Sequence, residues 1–443
     1  MNAAFLSLEQ TPPLSVPFRF FLTAPLFGLL ASLLLLYDGS ALLSNRWHPS
    51  MLALTHLVTL GFITMVMFGA LLQLLPVLAA SPIPHPILVS TIFHISLSLG
   101  TLSLASGFVM GGAWLMVCAI ILLGFSFMGF IGVVTYSLIR VKGRSPSIIA
   151  MRFALGALAV NAVLGIGLGM LFGLGIVLPL PMELIHLHLT WGFVGWIGLL
   201  VMGIAFTVVP MFQITPQYPP SLTRWLVPLI FLTLLIWTPL YILAQINKLP
   251  GIVPQLLTAL IGLGFSVFAL VTLHIQAHRL RKLPDVTLNF WRIGLIGLLL
   301  SVIVWIIGIL WSDLATNPLY PILLGLFFIA GFVLPVIQGM LYKIVPFLIW
   351  LHLQNRQLEI LEVISMVKTP NMKQIIPDRL ARRQFWVYLI AFGLTIVAVL
   401  WNRFVYVAGI TLACSFLFLE YNLYRALWLY QSVSLRINAK AKS

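Results

Sequence analysis

GWIGLLVMGIAFTVVP, residues 195–210, contains a glycine, seven residues, a second glycine, six residues and a proline. The same pattern occurs in GFITMVMFGALLQLLP, residues 61–76, and in GFVLPVIQGMLYKIVP, residues 331–346. The three copies begin 134 and then 136 residues apart. With 33 glycines and 27 prolines in 443 residues, chance predicts about 0.15 such triplets. The pattern therefore predicts a chain built from three pseudo-repeats.

Composition assigns the chain to the membrane. It is 61% hydrophobic and only 7% charged, and a bilayer about 30 Å thick requires runs of about 20 apolar residues. The sequence contains twelve such runs, which predict four helices in each repeat. The predicted spans are 20–44, 51–79, 86–109, 113–140, 148–178, 184–212, 223–246, 253–278, 289–312, 320–350, 384–402 and 404–433. The fold class predicted is an all-α integral membrane protein, a single domain over 1–443 with pseudo-repeats at roughly 15–145, 146–280 and 281–433.

The basic residues behind the net charge of +15 are distributed unevenly between the loops on the two sides of the membrane. The loops that follow odd-numbered spans hold only Arg46, Lys248 and Arg403, whereas those that follow even-numbered spans and the tail carry the basic clusters. This asymmetry predicts a multi-pass protein of the inner (cytoplasmic) membrane with both termini in the cytoplasm. It argues against nucleic acid as a partner, and the lipid bilayer is the partner we expect. Residues 352–383, the longest polar segment, are interpreted as a cytoplasmic connector, with a short interfacial helix as the alternative.

Histidines are the ionisable groups that merit attention inside the spans, because such groups are costly there. Span two enters from the outer side, which puts His56 about 7 Å below that edge. Span six also enters from the outer side and puts His186 and His188 about 3 and 6 Å deep. Imidazoles at matched depth on equivalent helices predict axial ligation of haem iron.

The His186-x-His188 spacing limits the type of site. Residues two apart on a helix point about 200° apart, so the two rings cannot readily bind one ion. Zinc requires several converging ligands, whereas haem requires one histidine on each face. His94 on span three is open to both a ligand role and helix–helix hydrogen bonding, with hydrogen bonding favoured.

The stretch HLHLTWGFVGWIGLLVMGIAFTVVP, residues 186–210, resembles the His-x-His helix of haem-copper oxidase subunit I, in particular of C-type oxidases and nitric oxide reductases. The chain is also similar to the NnrS family of twelve-span haem proteins. The resemblance implies twelve helices in three four-helix arcs. It also implies a low-spin haem b, one or two haems in all, with His56 and one of His186 or His188 as the ligands. The haem would lie between spans two and six near the outer face.

The chain departs from the family pattern at the copper ligands. The family's His-x-His lies on helix ten, whereas here it lies on span six, and span seven has no histidine. Copper is left open as a cofactor, but the sequence does not support it. Enzyme activity is left undecided, with a degenerate oxidase or nitric oxide reductase as one option.

The function expected is electron transfer, or binding of a diatomic gas such as nitric oxide or oxygen, with a redox partner or respiratory complex as a further partner. The alternatives are a membrane transporter and an assembly factor for a respiratory complex. Against a transporter, common twelve-span transporters are built from two six-helix repeats rather than three four-helix repeats.

Overall fold

The computed structural model describes residues 10–79, 81–141, 143–177, 179–280, 283, 285–359 and 367–440. Twelve helices in these ranges are long and apolar enough to cross a membrane, which confirms the predicted all-α membrane fold. We label them α1–α12 in chain order. They are Ser15–Ala41, Pro49–Val77, Pro86–Met110, Ala113–Arg140, Pro146–Leu174, Pro181–Gln213, Pro220–Gln245, Ile252–Ala277, Val286–Leu310, Leu319–Leu358, Asp378–Leu400 and Asn402–Lys440.

The three signature helices share a local feature that interrupts the regular α-helix. A π-helical segment occurs at Leu57–Thr64 in α2, at Trp191–Gly198 in α6 and at Phe327–Val333 in α10. Each segment contains the first glycine of the signature, and each helix continues through the signature proline. Because π-helical turns are rare, three at equivalent positions support the repeat that the glycine–proline pattern predicts.

The π-helical segments account for the glycine spacing. Residues eight apart on an ideal α-helix point about 80° apart, but one inserted residue returns them to nearly the same face. In α2, a Cβ added at Gly61 would contact Phe27 of α1, and one added at Gly69 would contact Phe20 of the same helix. In this repeat, both signature glycines therefore let the second helix approach the first closely.

The second repeat packs in the same way. A Cβ added at Gly195 would lie 2.7 Å from the Ala157 Cβ, and one added at Gly203 would lie 2.0 Å from the Ala150 Cβ. In the third repeat, a Cβ added at Gly339 would lie 2.7 Å from the Phe290 Cβ on α9. These distances are shorter than van der Waals contact, so glycine is required at each position.

The chain forms two compact units. The first comprises Met1–Pro12, Leu71–Leu283 and Leu295–Leu310, and in it α4 packs against α3 and α5, α5 packs against α6, and α7 packs against α8. The second comprises Pro13–Ala70, Pro284–Gly294 and Trp311–Ser443, and in it α12 packs against α1, α10 and α11.

The helix boundaries differ from the prediction around the polar segment 352–383. The α10 helix extends to Leu358, a single turn forms at Met372–Ile375, and α11 begins at Asp378 rather than at 384. Residues 360–366 of this segment lie outside the described residues. Hydropathy locates the apolar part of a span, but a helix continues into polar residues wherever its backbone hydrogen bonds persist. Three of the basic residues before predicted span eleven, Arg379, Arg382 and Arg383, therefore lie on α11 itself.

Candidate haem-ligand histidines

All three predicted ligands lie just before a π-helical segment, and all are half-buried. His56 ends the α-helical turn Pro49–His56 and directly precedes the first segment. His186 and His188 lie in Pro181–Thr190, directly before the second segment. π-Helical turns are frequent at functional sites because they displace side chains from the regular helical positions.

His186 and His188 face different neighbouring helices. The His188 Nδ1 lies 3.2 Å from the backbone oxygen of Asn161 on α5. The His186 Nδ1 lies 2.5 Å from the hydroxyl of Tyr241 on α7. The two rings therefore point to opposite sides of α6, as their spacing predicts, and they do not converge on one point.

Hydrogen bonding determines which ring nitrogen carries the proton in neutral His56 and His188. A carbonyl oxygen can only accept, so His188 donates from Nδ1 to Asn161, and His56 donates from Nδ1 to the Leu52 oxygen at 2.7 Å. In a neutral imidazole, Nε2 then carries the lone pair that binds a metal. Metal-ligating histidines commonly donate their other N–H to a carbonyl, so these two rings fit an axial role.

The same bond occurs at other histidines, so it does not identify a ligand by itself. On α10, the His352 Nδ1 lies 2.8 Å from the Leu348 oxygen. His352 follows Pro346 by six residues, whereas His56 precedes Pro76 by 20. His352 therefore reproduces the bond at the opposite end of an equivalent helix and is a natural control for His56.

The α5 side of His188 is shaped to receive an imidazole ring. A Cβ added at Gly165 would lie 3.0 Å from the His188 Cε1, so the ring packs against a position without a side chain. Beside it, the Asn161 Oδ1 is buried and has no hydrogen-bond partner among the described residues. The ring position and this polar atom together fit a site that holds a ligand with its own hydrogen-bonding groups.

Aromatic residues of α7 support His186. The ring of Tyr241 stacks on that of Trp237, with centroids 4.7 Å apart and planes inclined by 15°. One turn away, the Trp191 Nε1 donates to the Thr238 hydroxyl at 3.1 Å. Tyr241 does not stand out in the sequence, because α7 has no histidine and is apolar over most of its length. The sequence feature that could have indicated Tyr241 is its i, i+4 spacing from Trp237, which puts the two aromatic rings on one face of α7.

The remaining histidines do not form a metal cluster with acids or thiols. His94 on α3 is half-buried. His274 and His278 are exposed, with ring centroids 4.4 Å apart. Among the described residues, no group of three or more histidine, cysteine, aspartate or glutamate side chains is arranged to hold a metal ion.

The second unit contains a buried polar cluster that the sequence analysis did not single out. Gln384 of α11 donates to the Gln338 Oε1 at 2.7 Å and to the Ser415 hydroxyl at 3.1 Å. Nearby, Asn422 donates to the Tyr342 hydroxyl at 2.9 Å. All five residues are buried, and each has at least one hydrogen bond within the cluster, as expected for polar groups inside a span. The Gln338 Nε2, the Gln384 Oε1 and the Asn422 Oδ1 have no partner among the described residues.

One ion pair lies beside this cluster. The Lys343 Nζ lies 2.7 Å from the Asp285 Oδ2, and the Asp285 Oδ1 accepts from the Thr287 backbone N–H at 2.9 Å. Lys343 lies inside the third signature, where an unpaired ammonium is costly. Asp285 lies directly before α9 and compensates that charge.

A known structure identifies the fold of this chain, but no known protein identifies its chemistry. No family model matches the chain, and no curated protein matches it. A cryo-EM structure of a haem-copper terminal oxidase dimer aligns with a TM-score of 0.60 and 15% identity. The alignment covers 93% of this chain and 84% of that one. The chain therefore has the twelve-helix fold of haem-copper oxidase subunit I.

Proposed function

We propose that this protein is a haem-b-binding integral membrane protein that uses His56, His186 and His188 as axial ligands. The observation that carries the proposal is the position of these imidazoles. They directly precede equivalent π-helical segments on α2 and α6, the two most enclosed of the twelve helices. A haem-copper terminal oxidase of known structure has a similar fold.

The residues would act by orienting the rings and selecting their tautomer. The Leu52 and Asn161 carbonyls accept the Nδ1 protons of His56 and His188, so that in the neutral rings Nε2 would be the nitrogen that binds iron. Gly165 provides space for the His188 ring. Bound haem b would supply a one-electron centre, or an iron that binds a diatomic gas such as nitric oxide or oxygen.

One or two haems in all are part of this proposal. The directions of the two rings on α6 support it, because His186 faces α7 and His188 faces α5, so the helix has an imidazole on each side. In the third signature helix, residues 319–331 before and at the first glycine read LYPILLGLFFIAG and contain no histidine. The third repeat therefore does not supply an equivalent ligand.

Within this class, the His-x-His helix favours relatives of C-type oxidases, nitric oxide reductases or the NnrS family. The family's copper ligands have no counterpart on span seven. We therefore favour electron transfer or gas binding over oxidase turnover. A redox protein or respiratory complex would exchange the electrons, in the cytoplasmic membrane with both termini inside.

Two other functions remain as alternatives. A transporter would use the same number of helices, and an assembly factor for a respiratory complex would retain the helices for packing. Under either of these two functions, the purified protein would contain no haem. The paired glycines allow close helix approach under all three functions, so they do not discriminate among them.

The test is the cofactor content of the full-length protein purified in detergent. We expect a pyridine haemochrome spectrum of b type, iron by metal analysis and a six-coordinate low-spin signal. His56→Ala should lose that signal, and His186→Ala or His188→Ala should do so where that ring binds the same iron. His352→Ala, which removes the same type of histidine–carbonyl bond, should keep it. Colourless protein, or equal loss in His352→Ala, would contradict the proposal.

A further inference from the structure

The first two turns of α11 present a basic stripe. Arg379, Arg382, Arg383 and Trp386 follow i, i+3, i+4 and i+7 spacing, so they lie on one face of the helix. All four side chains are exposed. The start of α11 at Asp378 is what gives the three arginines this shared face.

The same four side chains line an open pocket of about 270 Å³. That volume corresponds to about nine water molecules, enough for a phosphate group with its attached glycerol. The described residues give the three guanidinium groups no ion pair or hydrogen bond. The adjacent carboxylate, Asp378, pairs with Lys373 at 2.7 Å. No described acidic side chain therefore compensates the positive charge of the pocket.

The pocket lies where a lipid headgroup would be. The apolar part of α11 follows directly, and Trp386 is one turn further along the helix than Arg382, with 54% of its surface exposed. Tryptophan is enriched at the boundary between headgroups and acyl chains. Arginine binds phosphate through two parallel N–H donors, which a tetrahedral phosphodiester oxygen pair accepts well.

We propose that this pocket binds the phosphate-bearing headgroup of an anionic phospholipid in the leaflet where α11 begins. In the predicted orientation this is the cytoplasmic leaflet, whose anionic lipids attract basic segments near the surface. The arginines bind the phosphodiester, and Trp386 contacts the glycerol and upper acyl chains. The site does not depend on haem binding, so the two proposals are tested separately.

The experiment is native mass spectrometry of the full-length protein in equal amounts of dioleoyl phosphatidylglycerol and dioleoyl phosphatidylcholine. We expect wild type to retain phosphatidylglycerol preferentially. The triple variant Arg379→Gln, Arg382→Gln, Arg383→Gln should lose that preference, by up to about fivefold for each arginine removed. The triple Arg→Lys variant, which keeps the charge and loses the two-pronged geometry, should fall between them.

The matched control removes three other exposed arginines from the same predicted side of the membrane. These are Arg140, Arg224 and Arg436, each replaced by glutamine. This control should keep the wild-type preference, and helical circular dichroism with gel filtration should show that all variants fold.

Three outcomes would overturn the proposal. The first is an unchanged lipid preference in the pocket variant, and the second is an equal loss in the control. The third is displacement of phosphatidylglycerol by excess inorganic phosphate, which would show that the pocket takes a free anion. If the triple variant does not fold but the single Arg→Gln variants do, the lipid preference of each single variant is compared with that of wild type instead.

Discussion

The Nδ1 of His186 lies 2.5 Å from the hydroxyl of Tyr241, 55 residues further along the chain. The two rings meet nearly edge to face, with planes inclined by 67°. This hydrogen bond fixes the orientation of the imidazole on the α7 side of α6. Tyr241 therefore stands in the position from which an outer residue tunes a metal-binding histidine.

Tyr241→Phe removes the hydroxyl and leaves the ring stack with Trp237 in place. If His186 binds haem iron, its ligand strength and orientation both weaken. We expect haem affinity to fall by about 10- to 100-fold, the usual effect of losing such a partner. The measurement is the haem-to-protein ratio and the rate of haem transfer to an excess of an apo acceptor protein.

The control for that variant is Tyr218→Phe. Tyr218, like Tyr241, is a tyrosine of the first unit; it is buried, and its hydroxyl lies 3.0 Å from that of Thr272. It should retain haem as wild type does. Unchanged haem retention in Tyr241→Phe would remove His186 from the set of ligands.

Repeat and span number were predictable because each rests on a pattern within a single helix. The glycines and prolines mark the helices α2, α6 and α10, and hydropathy marks all twelve spans. The spacing between Gly61 and Gly69 also contained a signal for the π-helical segment. Eight residues do not return to one face of an α-helix without an inserted residue.

The partners of the histidines were not predictable, because they come from other helices. The sequence places His186 on α6, but only packing brings Tyr241 of α7 to it. The Gln338–Gln384 bond likewise joins residues 46 apart. Polar residues within apolar spans indicate that a partner exists, but hydropathy does not identify it.

Gly203→Ala tests the close approach of α5 and α6. The added Cβ would lie 2.0 Å from the Ala150 Cβ, so the helices must separate. We expect a loss of about 1–3 kcal/mol, typical of overpacking, measured by thermal unfolding in detergent. Gly393→Ala on α11 has no atom within 4 Å of the new methyl group and should be nearly neutral.

A compensating substitution makes the test specific. Ala150→Gly removes the methyl group that collides, so the Gly203→Ala, Ala150→Gly protein should recover most of the stability. Failure of the pair to recover, with Gly393→Ala neutral, would show that the cost arises elsewhere than at this contact.

Gln384→Leu tests the buried polar cluster. It removes the hydrogen bonds to Gln338 and Ser415 and leaves their polar atoms inside an apolar span. We expect a loss of about 1 kcal/mol, in line with interhelical hydrogen bonds in membranes. Replacing both glutamines by leucine should cost less than the two single changes together, because no orphaned amide remains. Strict additivity in the double-mutant cycle would contradict direct coupling.

Tyr218 should make the protein sensitive to alkali. Burial raises the pKa of its phenol well above the ordinary value of 10, and the hydrogen bond with Thr272 opposes that shift only in part. Below pH 10 the phenol is neutral in both folded and unfolded chains, so its contribution to stability is fully present. Above pH 10 the unfolded chain ionises first, and stability should fall by about 1.4 kcal/mol for each pH unit.

The measurement is the free energy of unfolding in detergent between pH 9 and 12, and its physical basis is the difference in proton binding between the two states. Tyr218→Phe should show a shallower alkaline decline than wild type because phenylalanine does not ionise. Tyr37→Phe, at a tyrosine with 84% of its surface exposed, should keep the wild-type slope. If Tyr218→Phe and wild type lose stability in parallel, the buried phenol does not set the alkaline limit, and its burial is relieved before it ionises.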